Sequence, residues 1–390
     1  MGFINLSLKW NVIKYTLYFL LIPIGYLNAS LNWLVILLGP FLLYRSPKSL
    51  KVIKLEKNFL IALLFFLSIV LFSGIISIDP LYPIKNALNI LSIILACYFV
   101  ALRLKTKNEL FDFLNSIFFT CVVYAFILYY LSFDGFTFNF IESDTFGKNT
   151  SAVILFIGLV VNLLRAQLIK THLSSTVSTL FFYVSIFFTG SIKSILVSTI
   201  LILSFYVLKS TISLKKIFLN SFFTVLFIIV CIYFLKDTEY LNNYSVLRIT
   251  SRLSVLFGGS SEIGYIDSEY MTGYRSYLIS KGLSIFYENP IIGIGLENTR
   301  AYLGTYTHNN FVEILAGTGI LGFGFFLYAI LTIFWSTLKI YNTQLKVILI
   351  ISLFCFMLIA NAQRIYDNRF LMIFMFSFIS IQNIINNERQ

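Results

Sequence analysis

The run His308-Asn309-Asn310-Phe311-Val312-Glu313 stands where a polar stretch of the chain meets a long apolar one. An imidazole titrates at about pH 6.5, so a histidine at such a boundary suits general-base chemistry; the alternative is a polar histidine at the membrane interface. Glu313 follows five residues later, about 140° around a helix, which is too far round to hold the imidazole directly. It shares a face with Asn309 and is expected to brace that amide. A carboxylate one turn inside a membrane helix costs about 2.5 kcal/mol or more unless partnered. The candidates for that partner are Arg275, Arg300, Arg364, Arg369 and Lys193.

Upstream, Arg248 and Arg252 are four apart in an otherwise apolar segment. This suits a helix lying in the membrane interface with both guanidinium groups toward headgroups, or a simple surface anchor. Thr272-Gly273-Tyr274-Arg275 precedes a helical-looking stretch from Ser276 to Tyr287, and Asn289-Pro290-Ile291-Ile292-Gly293-Ile294-Gly295 reads as a tight turn. It is not a dinucleotide fingerprint, which needs a third glycine and a strand before it. Glu142 with Asp144, and Asp267 with Glu269, place carboxylates two residues apart as a divalent-metal site would. Short acidic pairs in polar loops are ordinarily solvated, so no metal is expected. Two histidines, His172 and His308, cannot form a histidine-based metal cluster within one chain, and Cys97, Cys121, Cys231 and Cys355 all lie in apolar runs as small core residues.

The elements that position these residues are membrane spans. Of 390 residues 58% are hydrophobic and only 12% charged, with 42 Phe and a mean hydropathy of +0.86, against about 25% charged in soluble domains. The chain is an all-α polytopic membrane protein, read as a single integral domain over 1–390. Spans are predicted near 10–27, 31–44, 58–78, 86–102, 111–132, 150–168, 176–190, 192–208, 217–235, 310–337, 347–362 and 370–385, about twelve in all. Lys9 and Lys14 ahead of the first apolar stretch resemble a signal peptide, but further spans follow at once without a convincing small-residue cleavage site, so it is read as a retained span. Gly190, Ser191 and Lys193 divide 176–208 into a hairpin, which keeps Lys209, Lys215 and Lys216 on the same side as the other basic loops. Both termini are then cytoplasmic. That side holds 18 of the 29 basic residues with four acids, about +14, while the outer side carries about −2. The overall charge of +12 is therefore topological and implies no nucleic-acid partner. One large extracytoplasmic loop, 236–309, precedes the tenth predicted span, and function is expected there because long outer loops can meet water and large substrates.

Gly273-Tyr274-Arg275, the 289–295 block, and His308-Asn309 with Glu313, Gly319 and Gly322 together resemble the O-antigen polymerase and ligase superfamily, in order and in position. The resemblance implies a C-type glycosyltransferase-like fold in the bacterial cytoplasmic (inner) membrane. It implies an undecaprenyl-diphosphate-linked oligosaccharide as donor and acceptor, contact with membrane lipid, and a chain-length regulator and a flippase as protein partners. It assigns His308 as the catalytic candidate and Arg275 as a holder of the lipid diphosphate, with Asn309, Glu313, Gly293 and Gly295 as supporting residues. Where the family carries a Ser-Arg pair at an outer turn this chain has Gly190-Ser191-Ile192-Lys193, so Lys193 would supply a point charge instead of a bidentate fork. Arg248, Arg252 and Arg300 are the further basic residues expected to face the diphosphate, and with arginines present no cofactor or metal is required. Tyr265, Tyr270, Tyr274 and Tyr302 are the outer-loop aromatics nearest the motif and candidate acceptor-site residues. The expected activity is polymerisation of lipid-linked repeat units; the alternatives are ligation of finished glycan to a lipid A core, or transport of the lipid-linked oligosaccharide. Scarce mid-span charges and the absence of an internal sequence repeat argue against transport.

Overall fold

The computed structural model describes residues 10–27, 52–134, 137–138, 148–169, 173–189, 191–209, 265–361 and 364–387. The chain is a bundle of long apolar helices. They are α1 (Trp10–Leu27), α2 (Lys54–Ile75), α3 (Leu81–Arg103), α4 (Lys107–Ser132), α5 (Lys148–Ile169), α6 (Leu173–Phe188), α7 (Ile192–Lys209), α8 (Tyr265–Glu288), the short α9 (Thr299–Leu303), α10 (Asn310–Leu338), α11 (Thr343–Ala360) and α12 (Arg369–Asn387). A two-residue hairpin, β1 (Phe133–Asp134) with β2 (Thr137–Phe138), follows α4. Among the described residues seven helices are long and apolar enough to cross a membrane, and Val12–Ile22, Ser175–Phe188 and Lys193–Val207 are shorter apolar helices. The predicted spans 31–44 and 217–235 lie outside the described residues. The helix expected over Ser276–Tyr287 is longer, because α8 runs through Gly273 from Tyr265 to Glu288.

Burial sorts the helices. The apolar windows of α5 and α12 are 83% and 72% buried inside the protein, against 44–56% for the other five long spans. α5 and α12 therefore form the centre, and the other long helices turn about half of their apolar windows outward, where lipid can cover them. Phe72, Phe126, Trp335 and Phe354 are exposed on those outer faces. The phenylalanine content fills the interior with edge-to-face pairs such as Phe156–Phe356 (5.2 Å) and Phe374–Phe378 (5.2 Å), geometry that matches the positive ring edge to a negative face. The hairpin expected over 176–208 is present: α6 ends at Phe188, Thr189 turns the chain, and α7 begins at Ile192.

The tenth predicted span is not one continuous helix. Inside α10 the backbone of Gly319 leaves helical geometry (φ 62°, ψ −167°), which frees main-chain groups in the middle of an apolar environment. The 289–295 turn takes them up. Ile294 and Gly295 N–H donate to the Ala316 and Gly317 carbonyls at 3.1 and 2.9 Å, while Ile320 and Leu321 N–H donate to the Pro290 and Ile291 carbonyls at 2.8 and 3.3 Å. This mutual exchange requires two backbones to touch. A Cβ on Gly293 would stand 2.5 Å from the Gly317 carbonyl carbon and the Thr318 nitrogen, and one on Gly319 only 2.3 Å from the Ile291 carbonyl. Glycine at both positions meets the lack of space and the positive φ at once.

Candidate functional site

The plugged break fixes the 289–295 turn, and the turn leads directly into a polar cluster at the same end of the bundle. Asn298 is buried and locks this segment to the loop between α2 and α3: its Oδ1 accepts from Asp79 N–H at 2.9 Å and its Nδ2 donates to the Asp79 carbonyl at 3.0 Å. Asn309 is the N-cap of α10. Its side-chain oxygen accepts from Phe311 and Val312 N–H at 2.9 and 3.1 Å, which aims the residue before it, His308, off the helix start.

Glu313 is fully buried, as a carboxylate in that position should be, but its partners are not those expected. It accepts from the Thr299 hydroxyl at 2.6 Å and from the Thr307 N–H and hydroxyl at 2.9 Å each. None of Arg275, Arg300, Arg364, Arg369 or Lys193 forms an ion pair with it among the described residues. It also does not brace the Asn309 amide. The carboxylate instead ties α9 and the 304–309 connection to the first turn of α10, because Thr299 of α9 and Thr307 of the connection take up its oxygens. Arg369, buried at the start of α12, donates to Asn89 of α3.

The arginines gather around a different carboxylate. Glu297, buried just ahead of α9, takes an ion pair from Arg300 at 2.8 Å and another from Arg364, and accepts from Asn86 Nδ2 of α3 at 2.8 Å. Arg364 also lies 3.4 Å from Asp367. The strap 364–368 between α11 and α12 is held by Asn310, whose Oδ1 accepts from Ile365 N–H at 2.7 Å and Tyr366 N–H at 3.4 Å. Above these pairs sits Tyr306, with the Arg364 and Arg300 guanidinium carbons 5.2 and 6.0 Å from its ring centroid and the His308 ring 4.1 Å away.

The charges follow from this packing. Partial burial and the positive fields of Arg275, Arg364 and Arg300 hold the His308 imidazole below the usual histidine value, so it is neutral and proton-accepting at neutral pH. Burial opposes ionisation of Glu297, but Arg364, Asn86 and Arg300 outweigh it and keep its carboxyl below the usual range. Burial pushes the Tyr306 phenol up against the opposing pull of the same arginines. The Nε atoms of Arg275 and Arg300 are buried without a hydrogen-bond partner, and Arg275 has no carboxylate partner among the described residues. The arrangement sets guanidinium groups, which suit an anion, beside a neutral imidazole.

Of the residues singled out from sequence, Arg275, Arg300, His308, Asn309, Glu313, Gly293 and Gly295 belong to this end of the bundle. Lys193 is exposed in the first turn of α7 and is not among the charges acting on His308. Arg248 and Arg252, and the acidic pair Glu142 and Asp144, lie outside the described residues; Asp267 and Glu269 fall in the first turns of α8, where side chains are not described. Sequence reasoning did not single out Glu297, Tyr306, Asn310 or Asn86, and it named Arg364 only as a possible partner of Glu313. The available signal was Arg364 and Asp367 in the short 363–369 break between two spans, since ionisable groups so close to a membrane ask for partners.

The fold and site define a polytopic membrane bundle that gathers a histidine and three arginines at one end of its spans. A family model described as O-antigen ligase matches residues 177–327, from the α6–α7 hairpin through the break in α10, and it supports the place of this chain in the O-antigen polymerase and ligase superfamily. The match points to glycan processing of the O-antigen ligase or polymerase type, acting on lipid-linked glycan in a bacterial membrane. No curated protein matches the sequence.

Proposed function

We propose that this protein is a glycosyltransferase that polymerises lipid-linked oligosaccharide repeat units on the outer face of the cytoplasmic membrane. It would move a growing glycan from undecaprenyl diphosphate onto the next lipid-linked unit. The observation that supports this reading most is the convergence of Arg275, Arg300 and Arg364 on the Tyr306–His308 pair. In the transfer, the bond between the anomeric carbon and a diphosphate oxygen breaks, and charge grows on the leaving group. Arg275, without a carboxylate partner among the described residues, stabilises that charge while Arg300 and Arg364 contribute fixed field; His308 accepts the proton of the attacking sugar hydroxyl. Arg248, Arg252 and Lys193 are assigned to the approach of the lipid diphosphate. With guanidinium groups available to neutralise the leaving group, the reaction needs no divalent metal.

The description of the matching family favours a second reading, in which the same chemistry transfers finished glycan to a terminal acceptor. Transport finds less support. The broken helix resembles those that transporters use to bind ions, but here the Ala316, Gly317, Ile320 and Leu321 groups are all paired with the 290–295 turn and not left for a ligand. The deciding experiment incubates purified protein with its lipid-linked repeat unit, with and without chelator. A ladder on a gel, insensitive to chelator, is the expected result. In cells, loss of a polymerase leaves surface lipid carrying one repeat unit, whereas loss of a ligase leaves glycan stranded on the carrier.

A further inference from the structure

Among the described residues the only non-glycine residues in the left-handed backbone region are Glu297 (φ 69°) and His308 (φ 55°). A long unbranched side chain gains nothing there from its own backbone, and such a conformation persists where the surroundings over-determine it. For Glu297 the surroundings are specific. Its carboxylate reaches Arg300 on α9, Arg364 on the strap and Asn86 on α3. Both guanidinium groups are thereby laid against Tyr306, whose other neighbour is the imidazole of His308. A carboxylate with both ion pairs used and little exposure has no freedom to meet a substrate.

We propose that Glu297 is a positioning residue, which clamps Arg300 and Arg364 against the Tyr306–His308 pair and so sets the field in which His308 exchanges its proton. The clamp joins parts of the chain far apart in sequence, so it also fixes the strap to the 297–309 segment. Its consequence for rate rests on the assignment of His308 as the base; the clamp itself does not.

The test reads His308 without substrate. Replacing His172 with Gln leaves His308 as the sole histidine, and its titration is followed by NMR of labelled histidine in detergent. The charged and titratable groups around the pair are Arg275 from α8, Arg300 from α9, Arg364 and Asp367 from the strap, Glu297, Tyr306 and, beneath, Glu313 of α10. In Glu297→Asp the charge is kept while the shorter reach loosens its hold on both arginines, and His308 is expected to titrate higher, back toward the ordinary histidine value. The same variant loses about a hundredfold in transfer rate, with kcat falling more than KM rises. Arg364→Gln supplies the reference upward shift, since it removes one of the charges outright. In the Arg364→Gln background the aspartate substitution is expected to raise the titration by less, because one of the clamped charges is already gone. An unchanged or lowered titration in Glu297→Asp, or a rise as large with Arg364 absent as with it present, overturns the clamp. A raised titration with unchanged transfer keeps the clamp and overturns His308 as the base.

Discussion

Glu56 at one end of the bundle and Glu297 at the other are both buried carboxylates, and they are used differently. At one end Glu56, in the first turn of α2, accepts from Ser380 of α12 at 2.7 Å, from its own Ile53 N–H at 3.1 Å, and from Lys105 at 3.4 Å. One carboxylate meets one ammonium, a hydroxyl and a backbone amide, within ordinary backbone geometry. At the other end Glu297 carries two arginines in a left-handed conformation, while a third arginine nearby, Arg275, has no carboxylate partner among the described residues. The first arrangement is saturated, as a structural cluster should be. The second has an excess of positive charge aimed at a neutral imidazole, which is what a site for an anionic reactant requires.

That difference is broken most severely at His308 and Arg275. His308→Ala and Arg275→Ala are expected to lower transfer by about a hundredfold or more, the scale of one lost acid-base or oxyanion-type contact, while membrane insertion stays intact. Near-normal activity in either variant, read from the gel ladder, removes that residue from the mechanism. The pH dependence sharpens the same point. The imidazole is held low by burial and by Arg275, Arg364 and Arg300, so it is neutral at pH 7 and the rate should be lost only on the acid side of the ordinary histidine value of 6.5. Arg364→Gln removes one of these charges and should move that acidic limb upward; a downward or absent shift contradicts the electrostatic coupling.

The next effect concerns the joint that presents the site. Gly319→Ala places a Cβ 2.3 Å from the Ile291 carbonyl at φ 62°. It is expected to cost about 2–3 kcal/mol, part strain and part overpacking, and to lower the thermal midpoint in detergent together with activity. Gly324 meets nothing within 4 Å, so Gly324→Ala in the same helix should change neither.

Much of the architecture was legible because single-chain hydropathy and charge carry it. The division of 176–208 followed from Gly190 and from where Lys209 would otherwise fall, and α6 and α7 are separated there. That His308 and Arg275 lie near one another was foreshadowed by their places in an ordered motif. Three things were not legible, each for a physical reason. The break at Gly319 lies in a run that is apolar throughout, and nothing in hydropathy says that N–H groups of a turn twenty-odd residues upstream will donate to its freed carbonyls. The threonine partners of Glu313 depend on α9, a five-residue helix too short to leave a periodic signal. The Glu297–Arg364 pair joins residues 67 apart whose meeting depends on how α11 and α12 return the chain. Sequence spacing reports neighbours along a helix, whereas this site is assembled across four connections.

The smallest expected effect lies at the saturated end and completes the contrast. Lys105 is partly exposed, so much of its attraction to Glu56 is already screened, and Ser380 and Ile53 remain when it is removed. Lys105→Met should therefore destabilise the protein by about 1 kcal/mol, seen as a modest fall in thermal midpoint, and leave the transfer rate of the assembled protein unchanged. If the rate of correctly inserted Lys105→Met fell as far as that of Arg364→Gln, the two ends would be coupled through α2, α3 and α12. The view of Glu56 as a structural anchor would then have to give way to one in which it communicates with the histidine.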